Sequence, residues 1–226
     1  VHSCPKTRPN INSPKRNIIT IEDPVEYQLD GINQIQARKK IGLTFSKTLR
    51  SVLRQDPDII MIGEIRDEET AQIAVRAALT GHLVLSTVHT KDSVSTITRL
   101  LDMGIPPYLV SSTVKGVIAQ RLVRKLCFEC REKFQDENNK NEIKSDIVYK
   151  KIGCNKCNGS GYKGRVAIQE ILVVDRDIEK MIVQNKDEQD IKKYAIETGM
   201  TTIVDDGKEK MKQGLTSYEE LARVIL

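Results

Sequence analysis

Hydrophobic and polar positions follow two different periods along the first half of the chain. Short apolar runs of strand character occur at 17–23, 58–65 and 82–90. Between these runs, apolar residues recur at helical spacing in 44–55, 67–81 and 93–104. Strands that alternate with helices predict an α/β fold with a mostly parallel sheet and helices on both of its faces.

The second half of the chain follows a less regular pattern. A fourth strand is predicted at 119–126, and a strand-like run at 165–174 precedes short helices. Thr216 and Glu219 have capping-box spacing at the start of the last helix. We divide the chain into an irregular N-terminal segment, an α/β core, a small insert rich in Cys, Gly, Lys and Asn, and a C-terminal strand and helical region: 1–17, 18–126, 127–165 and 166–226.

Composition indicates a globular chain. Of its 226 residues, 39% are hydrophobic and 30% are charged. Pro5, Pro9 and Pro14 interrupt the polar start, so we expect no secretion signal and a cytoplasmic protein. The net charge of +5 is compatible with an acidic membrane, with nucleic acid or with ordinary solvated surface, and it selects none of them. An aromatic content of 4% without Trp argues against a base-stacking surface, so no nucleic-acid partner is expected.

Acidic residues follow two of the predicted strands. Glu22 and Asp23 end the first, and Glu64 and Asp67 follow the second. Because parallel strands end at one edge of a sheet, these carboxylates are expected to share a ligand. Phosphoryl transfer needs a held metal, an oriented water and positive charge. Glu64 could polarise the water, Glu22 could hold the water or metal, and Arg66 could organise the carboxylates.

Two histidines flank the third predicted strand. His89 lies at its carboxyl end, where it could contact a terminal phosphate, whereas His82 follows Gly81 and is more typical of a loop residue than of a ligand. The acidic residues also have a simpler interpretation. Asp67 and Glu68 precede a helix and could serve only to cap its N-terminus.

Four of the five cysteines form two Cys-x-x-Cys pairs, Cys127/Cys130 and Cys154/Cys157. In a chain without a secretion signal, such pairs favour metal over disulfides. Two pairs complete a closed tetrahedral Zn²⁺ site, so a structural zinc ion is predicted. An iron–sulfur cluster and reduced, metal-free thiols are the alternatives.

Several segments resemble the secretion ATPase superfamily. TIEDPVEYQ, LRQDPDIIMIGEIRDEETA and TGHLVLSTVHT are similar to its Asp box, Walker B segment and His box. The resemblance implies a RecA-like P-loop NTPase core of three layers. It also implies a hexameric, ATP- and Mg²⁺-dependent motor that serves type II secretion or type IV pilus assembly. Such motors lie at the cytoplasmic face of the inner membrane, where they contact a platform protein.

The resemblance also implies roles for individual residues. Glu64 would be the catalytic Walker B glutamate, Glu22 the Asp-box glutamate near Mg²⁺ and water, and His89 the His-box histidine. The remaining residues of these motifs are expected to contact the nucleotide or its metal: Asp23, Arg66, Asp67 and His82. The tetracysteine insert is typical of extension and secretion motors of the PilB and GspE type, whereas retraction motors of the PilT type lack it.

One element of the family pattern has no match in the sequence. Family members have a GxxxxGK[ST] loop shortly before the segment that resembles NSPKRNIITIEDP, and here VHSCPKTRPNI contains no Gly. GLTFSKT (42–48) and GSGYKG (159–164) do not follow a buried strand and cannot replace that loop. We therefore expect the C-terminal part of a motor, truncated at its N-terminus, that binds ATP weakly or not at all.

Three classes of function remain open from the sequence. The first is the motor part just described, and its status as an enzyme is uncertain without the loop. The second is a non-catalytic, zinc-stabilised interaction fragment of such a motor. The third, a DNA-handling RecA-like ATPase, is disfavoured by the GEIRD motif, the tetracysteine insert and the few aromatic residues.

Overall fold

The structure, a computed structural model, describes residues 11–134 and 148–225. They divide into two units, each with its own core. The described part of the first unit comprises 11–90, 95–115 and 174–188. That of the second comprises 91–94, 116–134, 148–173 and 189–225.

A parallel sheet organises the first unit. Its strands are β1 (Ile18–Glu22), β2 (Asn33–Gln36), β3 (Ile59–Ile62) and β4 (Leu83–Ser86), in the spatial order β2-β1-β3-β4. All three pairings are parallel. Ile21 lies beside Ile62, and Ile62 lies beside Ser86, so the strands end at a common edge. The predicted strands at 17–23, 58–65 and 82–90 are thus confirmed.

Isoleucines of β1 and β3 form the centre of this unit. Six of them are buried: Ile18, Ile19, Ile21, Ile59, Ile60 and Ile62. β-Branched side chains suit such central strands because they are buried on both faces of the sheet. β2 was not predicted from the sequence, because its residues, NQIQ, are polar and half-exposed at the edge of the sheet.

Helices lie between and after these strands along the chain. They are α1 (Phe45–Val52), α2 (Glu68–Leu79), α3 (Val94–Asp102), α4 (Pro107–Thr113) and α5 (Arg176–Val183). In α1, Thr44 accepts a hydrogen bond from the Lys47 N–H at 3.3 Å, and Phe45, Leu49 and Val52 are buried. α4, which the sequence analysis missed, starts with Pro at its first position, a known helix-start signal.

A long antiparallel ribbon organises the second unit. β5 (Gly116–Leu126) pairs with β8 (Tyr162–Val173), and a hairpin of β6 (Glu132–Phe134) and β7 (Val148–Lys150) lies between them in sequence. The strand predicted at 119–126 therefore exists, but it pairs with β8 and does not join the parallel sheet. Alternation alone could not show this, since it gives the face of a strand but not its partner.

The described residues contain three further helices: α6 (Glu188–Glu197), α7 (Ile203–Lys212) and α8 (Tyr218–Ile225). Residues of α7 and α8 pack on one face of the ribbon in a cluster of Val123, Ile168, Ile203 and Leu221. None of the helices in the described ranges is both long and apolar enough to cross a bilayer.

The cap of α8 lies one residue later than predicted. Ser217, not Thr216, accepts the hydrogen bond from the N–H three residues on, that of Glu220, at 3.3 Å. Thr216 donates its hydroxyl to the carbonyl of Arg124 at 2.9 Å, which ties the start of α8 to β5. The expected Thr216/Glu219 capping box is therefore wrong, because a tertiary contact takes the Thr216 hydroxyl.

Glu220 links α8 to β5 through charge. Its side chain is fully buried and accepts hydrogen bonds from Arg124 Nε at 2.8 Å, Arg124 Nη2 at 2.6 Å and Arg223 Nη2 at 2.6 Å. Burial raises the pKa of Glu220, but hydrogen bonds from Arg223 and Arg124 outweigh burial and lower that pKa to about 2. The ionised form therefore stabilises the folded state.

We predict that Glu220→Gln lowers the free energy of unfolding by about 2 kcal/mol at neutral pH, because charge-assisted hydrogen bonds are lost. The folded-state pKa lies below the unfolded value of about 4.3. The stabilisation is thus complete above that value and disappears as pH falls toward 2. Urea unfolding at several pH values should show the difference between wild type and variant shrinking from pH 5 to pH 2.

Glu219→Gln is the matched control, since Glu219 is exposed and pairs with Lys151 at 2.9 Å. Its effect should stay below about 1 kcal/mol at every pH, as for surface ion pairs in general. Equal effects of the two substitutions would contradict the role given to Glu220.

Candidate functional site

Glu22 and Glu64 both lie at the carboxyl edge of the parallel sheet. Glu22 is the last residue of β1, and Glu64 follows β3 by two residues. Gly63 brings the two strand ends close together. It donates its N–H to the carbonyl of Ile21 at 2.7 Å, and a Cβ at Gly63 would lie 3.4 Å from Glu22 Cα. The strand ends carrying the two carboxylates are therefore neighbours, as the sequence analysis expected.

Glu64 is held between an arginine and a histidine. Arg66 Nε lies 2.6 Å from Glu64 Oε2, and His89 Nε2 lies 3.5 Å from the same oxygen. The Glu64 side chain is 15% exposed, whereas that of His89 is 83% exposed. A largely buried carboxylate therefore lies between two exposed side chains, those of Arg66 and His89.

The end of β4 is fixed next to Glu64 by backbone contacts. Thr87 donates its hydroxyl to the Gly63 carbonyl at 2.5 Å, and the Ile65 N–H donates to the Thr87 carbonyl at 2.9 Å. Sequence reasoning missed Thr87. The feature that could have identified Thr87 is its position directly after β4 and two residues before His89, where a hydroxyl can reach the neighbouring strand.

Glu22 has a separate set of partners on the side of β2. Its Oε1 accepts hydrogen bonds from Thr20 Oγ1 at 2.6 Å and Gln34 Nε2 at 2.9 Å. Gln34 is held in turn by the Leu29 N–H at 2.7 Å. Thr20 is a buried hydroxyl in a run of isoleucines, a signal for a polar partner that the sequence analysis did not use.

The other predicted site residues take different positions. Asp67 caps α2: its Oδ1 accepts the Thr70 N–H at 2.8 Å and its Oδ2 accepts the Thr70 hydroxyl at 3.1 Å. Asp67 therefore caps α2, and its expected contact with the nucleotide or its metal stays a prediction. Asp23 is exposed directly after β1. His82 precedes β4, and its Nδ1 lies 2.9 Å from the Ala77 carbonyl, so it lies at the opposite end of that strand from His89.

The carboxyl edge thus combines two carboxylates with an arginine and a histidine. Carboxylate oxygens are ligands that Mg²⁺ prefers, and a sheltered glutamate beside a histidine can orient a water molecule. Arg66 and His89 can interact with negative charge on a phosphate. Hydrolysis of a phosphate ester or anhydride is the chemistry that suits this set of groups.

The four predicted metal ligands converge in the second unit. The Sγ atoms of Cys127, Cys130, Cys154 and Cys157 all lie within 4.8 Å of one another. The Cys127–Cys154 and Cys130–Cys157 distances are both 3.9 Å. Four thiolates at about 2.3 Å around a tetrahedral Zn²⁺ lie about 3.8 Å apart, so the residues fit a single zinc ion. Multi-iron clusters spread their four cysteines more widely.

Backbone N–H groups prepare these sulfurs for a metal. Hydrogen bonds from the N–H groups of Cys154 and Gly161, each at 3.2 Å, lower the pKa of the Cys157 thiol to about 6. Burial raises the pKa of Cys130, although the Gly153 N–H donates to its sulfur at 3.3 Å. N–H donors to thiolates are the outer contacts expected around a structural metal.

Comparison with known proteins agrees with this geometry. The family described as "Type II/IV secretion system protein" matches residues 6–223. The chain is 49% identical over 220 residues to the type II secretion system ATPase E of Vibrio cholerae. It is 51% identical over 208 residues to the type II secretion system protein HxcR of Pseudomonas aeruginosa. It is 50% identical over 224 residues to the type IV pilus assembly ATPase PilB of Thermus thermophilus.

Solved structures show the same fold. A crystal structure of the pilus retraction motor PilT with bound ADP matches 92% of this chain and 52% of its own, with a TM-score of 0.66 and 31% identity. The ATPase DotB of Legionella pneumophila matches 92% of this chain and 51% of its own, with a TM-score of 0.65 and 24% identity, and supports the fold alone. The RecA-like α/β core is therefore confirmed.

The fold is one that this chain shares with the pilus retraction motor PilT. The chain belongs to the type II/IV secretion system protein family. Its high-identity relatives are secretion E proteins and PilB, as the tetracysteine motif indicated. The matches cover 92–95% of this chain but only 44%, 42% and 25% of the Vibrio, Pseudomonas and Thermus relatives, so the chain spans less than half the length of each.

We predict that Gly63→Ala destabilises the first unit by about 1–3 kcal/mol, the usual cost of overpacking. The new methyl would lie 3.1 Å from the Ile21 carbonyl oxygen and 3.4 Å from Glu22 Cα, so β1 and β3 must separate. Urea unfolding measures the effect. Gly116→Ala is the comparison, because its methyl meets a single backbone oxygen at 3.3 Å, and it should cost less. A neutral Gly63→Ala would show that strand contact at this edge is loose.

Proposed function

We propose that this chain is the C-terminal part of a hexameric, ATP-hydrolysing motor that powers type II protein secretion or type IV pilus assembly. The observation that carries the proposal is the Glu64 carboxylate, sheltered beside Arg66 and His89 at the edge of the sheet that Glu22 shares. Identity of 49–51% to two secretion proteins and one pilus assembly ATPase supports the same function.

Each residue of the edge has a role in this proposal. Glu64 orients the attacking water, and Arg66 holds Glu64 in place through the 2.6 Å contact. His89 approaches the terminal phosphate, and Glu22, fixed by Thr20 and Gln34, holds the water or the Mg²⁺ shell. Asp23 and Asp67 contribute negative charge near the metal. His82 has only a structural role, through its contact with the Ala77 carbonyl. Mg²⁺ bound to ATP neutralises the charge that develops on the phosphates.

The proposed motor acts at the cytoplasmic face of the inner membrane. There it drives a platform protein of the secretion or pilus machine, and nucleic acid is not a partner. Oligomerisation into a hexamer is part of the proposal, because the motors that the sequence resembles work in that form.

The sequence as printed has no GxxxxGK[ST] loop. The loop supplies backbone N–H groups and a lysine for the β- and γ-phosphates. The carboxyl edge alone presents mainly carboxylates to a nucleotide that is itself negatively charged. We therefore infer that the 226-residue chain binds ATP weakly and is impaired as an enzyme.

The dissociation constant of the chain for ATP is expected to exceed about 1 mM, which corresponds to a binding free energy of less than about 4 kcal/mol. Fluorescence anisotropy of a labelled ATP analogue with Mg²⁺, titrated with the purified chain, measures it. Saturation at micromolar concentrations would contradict the inference about the missing loop and would leave the catalytic role of Glu64 intact.

A residual hydrolysis rate should depend on Glu64. Glu64→Gln is expected to lower the rate of phosphate release from Mg-ATP by about 100-fold or to background, because the water-orienting carboxylate is lost. Glu69→Gln, which alters an exposed carboxylate of α2 that pairs with Arg50, is the control and should leave the rate unchanged. A rate that both variants share with the wild type would come from a contaminant and would argue against the catalytic assignment.

The second candidate function is a non-catalytic interaction fragment stabilised by zinc. The observation that favours it is the second unit, which has its own hydrophobic cluster and a four-thiol group and contains none of the carboxyl-edge residues. Absence of any hydrolysis that depends on Glu64, together with a folded, metal-bound chain, would favour this function.

We further propose that the four cysteines hold a structural Zn²⁺, with no coordination position open for catalysis.

Protein purified under reducing conditions should contain about one zinc ion per chain, as measured by elemental mass spectrometry. Cys154→Ser should lose the metal and speed amide exchange at 127–134 and 148–162, because a short hairpin without a core depends on the ion. Cys4→Ser, outside the described residues, is the matched control and should keep the metal. A zinc-free wild-type chain with slow exchange would contradict this role.

A further inference from the structure

The Glu22 carboxylate is held by side chains on one face of the parallel sheet. Thr20 and Glu22 are two residues apart in β1, and Gln34 of β2 lies directly opposite Thr20. Successive side chains of a strand alternate between its two faces, so these three side chains share a face. All three residues belong to the first unit.

One oxygen of the Glu22 carboxylate receives both hydrogen bonds. Thr20 donates its hydroxyl to Glu22 Oε1 at 2.6 Å, and Gln34 donates from Nε2 to the same oxygen at 2.9 Å. A carboxylate oxygen has two lone pairs, so these two donors use the full acceptor capacity of Oε1. The last torsion of a glutamate is otherwise soft, and here a rotation of the carboxylate would break both contacts.

The other oxygen, Oε2, is open to solvent. Within the described ranges, the side-chain hydrogen bonds of Glu22 all end at Oε1. No buried side-chain oxygen of the described residues lacks a hydrogen-bond partner, so Oε2, which has none, is not buried. Glu22 therefore presents a single free oxygen at the end of β1.

The amide of Gln34 is fixed in one orientation. Its Nε2 also donates to the Tyr27 carbonyl at 3.0 Å, and its Oε1 accepts the Leu29 N–H at 2.7 Å. A flip of the amide would place its oxygen against two acceptors and its nitrogen against a donor. The contacts with Tyr27 and Leu29 thus keep a donor aimed at Glu22.

We propose that Gln34, together with Thr20, is a positioning residue that makes Glu22 a one-oxygen ligand: Oε1 is taken, and a divalent cation or a water molecule meets Oε2 alone. The catalytic meaning of this arrangement rests on the proposed function. The geometric claim concerns only side chains of β1 and β2 and needs no nucleotide.

A carboxylate that offers one oxygen suits some cations better than others. Mg²⁺ requires near-octahedral geometry at about 2.0–2.1 Å, which the two oxygens of one carboxylate fit poorly, whereas Ca²⁺ accepts a carboxylate through one oxygen or through both. The contacts at Oε1 therefore keep Glu22 in the mode that Mg²⁺ uses. Ca²⁺ is the informative probe, because with this ion the protein decides how many oxygens bind.

Infrared difference spectra recorded with and without Ca²⁺ measure the binding mode. The separation between the antisymmetric and symmetric carboxylate bands widens when one oxygen binds and narrows when both bind. The Ca²⁺-dependent bands that are lost in Glu22→Gln belong to Glu22. These bands should show the wide separation in the wild-type chain. They should show the narrow one in Gln34→Met, which keeps the length of the side chain but removes its amide.

Gln72→Met is the matched control. Gln72 donates from Nε2 to Glu68 Oε1 at 2.8 Å, so this residue is also a glutamine bound to a glutamate, but in an exposed pair on α2. The Glu22 bands of this variant should keep the wild-type separation. Equal narrowing in Gln72→Met and Gln34→Met would reflect general loosening and would overturn the proposal.

Thr20→Val keeps the test decisive if Gln34→Met does not fold. This substitution preserves the branched side chain in β1 and removes the other donor to Oε1, so the separation should again be narrower than in the wild-type chain. Three results overturn the proposal. They are a wild-type separation in both variants, a narrow separation in the wild-type chain, and the absence of any Ca²⁺-dependent band that Glu22→Gln removes.

Failure of this proposal is distinguishable from failure of the proposed function. The spectra use Ca²⁺ alone, so they depend neither on ATP affinity nor on hydrolysis. Hydrolysis that depends on Glu64, together with two-oxygen binding by Glu22, would keep the function and reject the role of Gln34. One-oxygen binding without such hydrolysis would do the reverse.

Discussion

Backbone hydrogen bonds between β1, β3 and β4 keep these strands in a single parallel register, with Ile62 between Ile21 and Ser86. Every chemical feature of the first unit depends on that register, because a shift by one residue would turn each side chain to the other face of the sheet. Buried isoleucines enforce the register from both sides. Gly63 lets the strand ends approach, so the carboxylates of Glu22 and Glu64 belong to one edge without any contact between the side chains themselves being needed.

The part of the fold that was predictable from the sequence is the part with strong periodicity. Isoleucine runs identified β1 and β3, and the acidic start of α2 identified its cap at Asp67. β2 and α4 were missed because a polar edge strand and a short Pro-initiated helix produce weak patterns. The pairing of β5 with β8 was unpredictable for a different reason. Alternation specifies which face of a strand is buried, whereas the partner strand is chosen by contacts that are remote in sequence.

The residues of the candidate site also include some that could be identified from the sequence and some that could not. Groups with distinctive chemistry at strand ends, such as Glu64 and His89, and the four cysteines could be identified from residue type and spacing. The residues that fix the strand ends could not, since Thr87 binds Gly63 and Gln34 binds Glu22 through hydrogen bonds between residues distant in sequence. Gln34 also belongs to β2, a polar edge strand whose place in the sheet emerges only with the tertiary fold.

The four-thiol group has a consequence for the architecture of the second unit. One Cys-x-x-Cys pair ends β5 and the other precedes β8, so convergence of their sulfurs closes the ribbon whatever the length of chain between Cys130 and Cys154. Lengthening a closed loop costs only about 0.6 kcal/mol for each doubling. Additional residues between Cys130 and Cys154 would therefore still allow the four sulfurs to converge, and the pairing of β5 with β8 would remain intact.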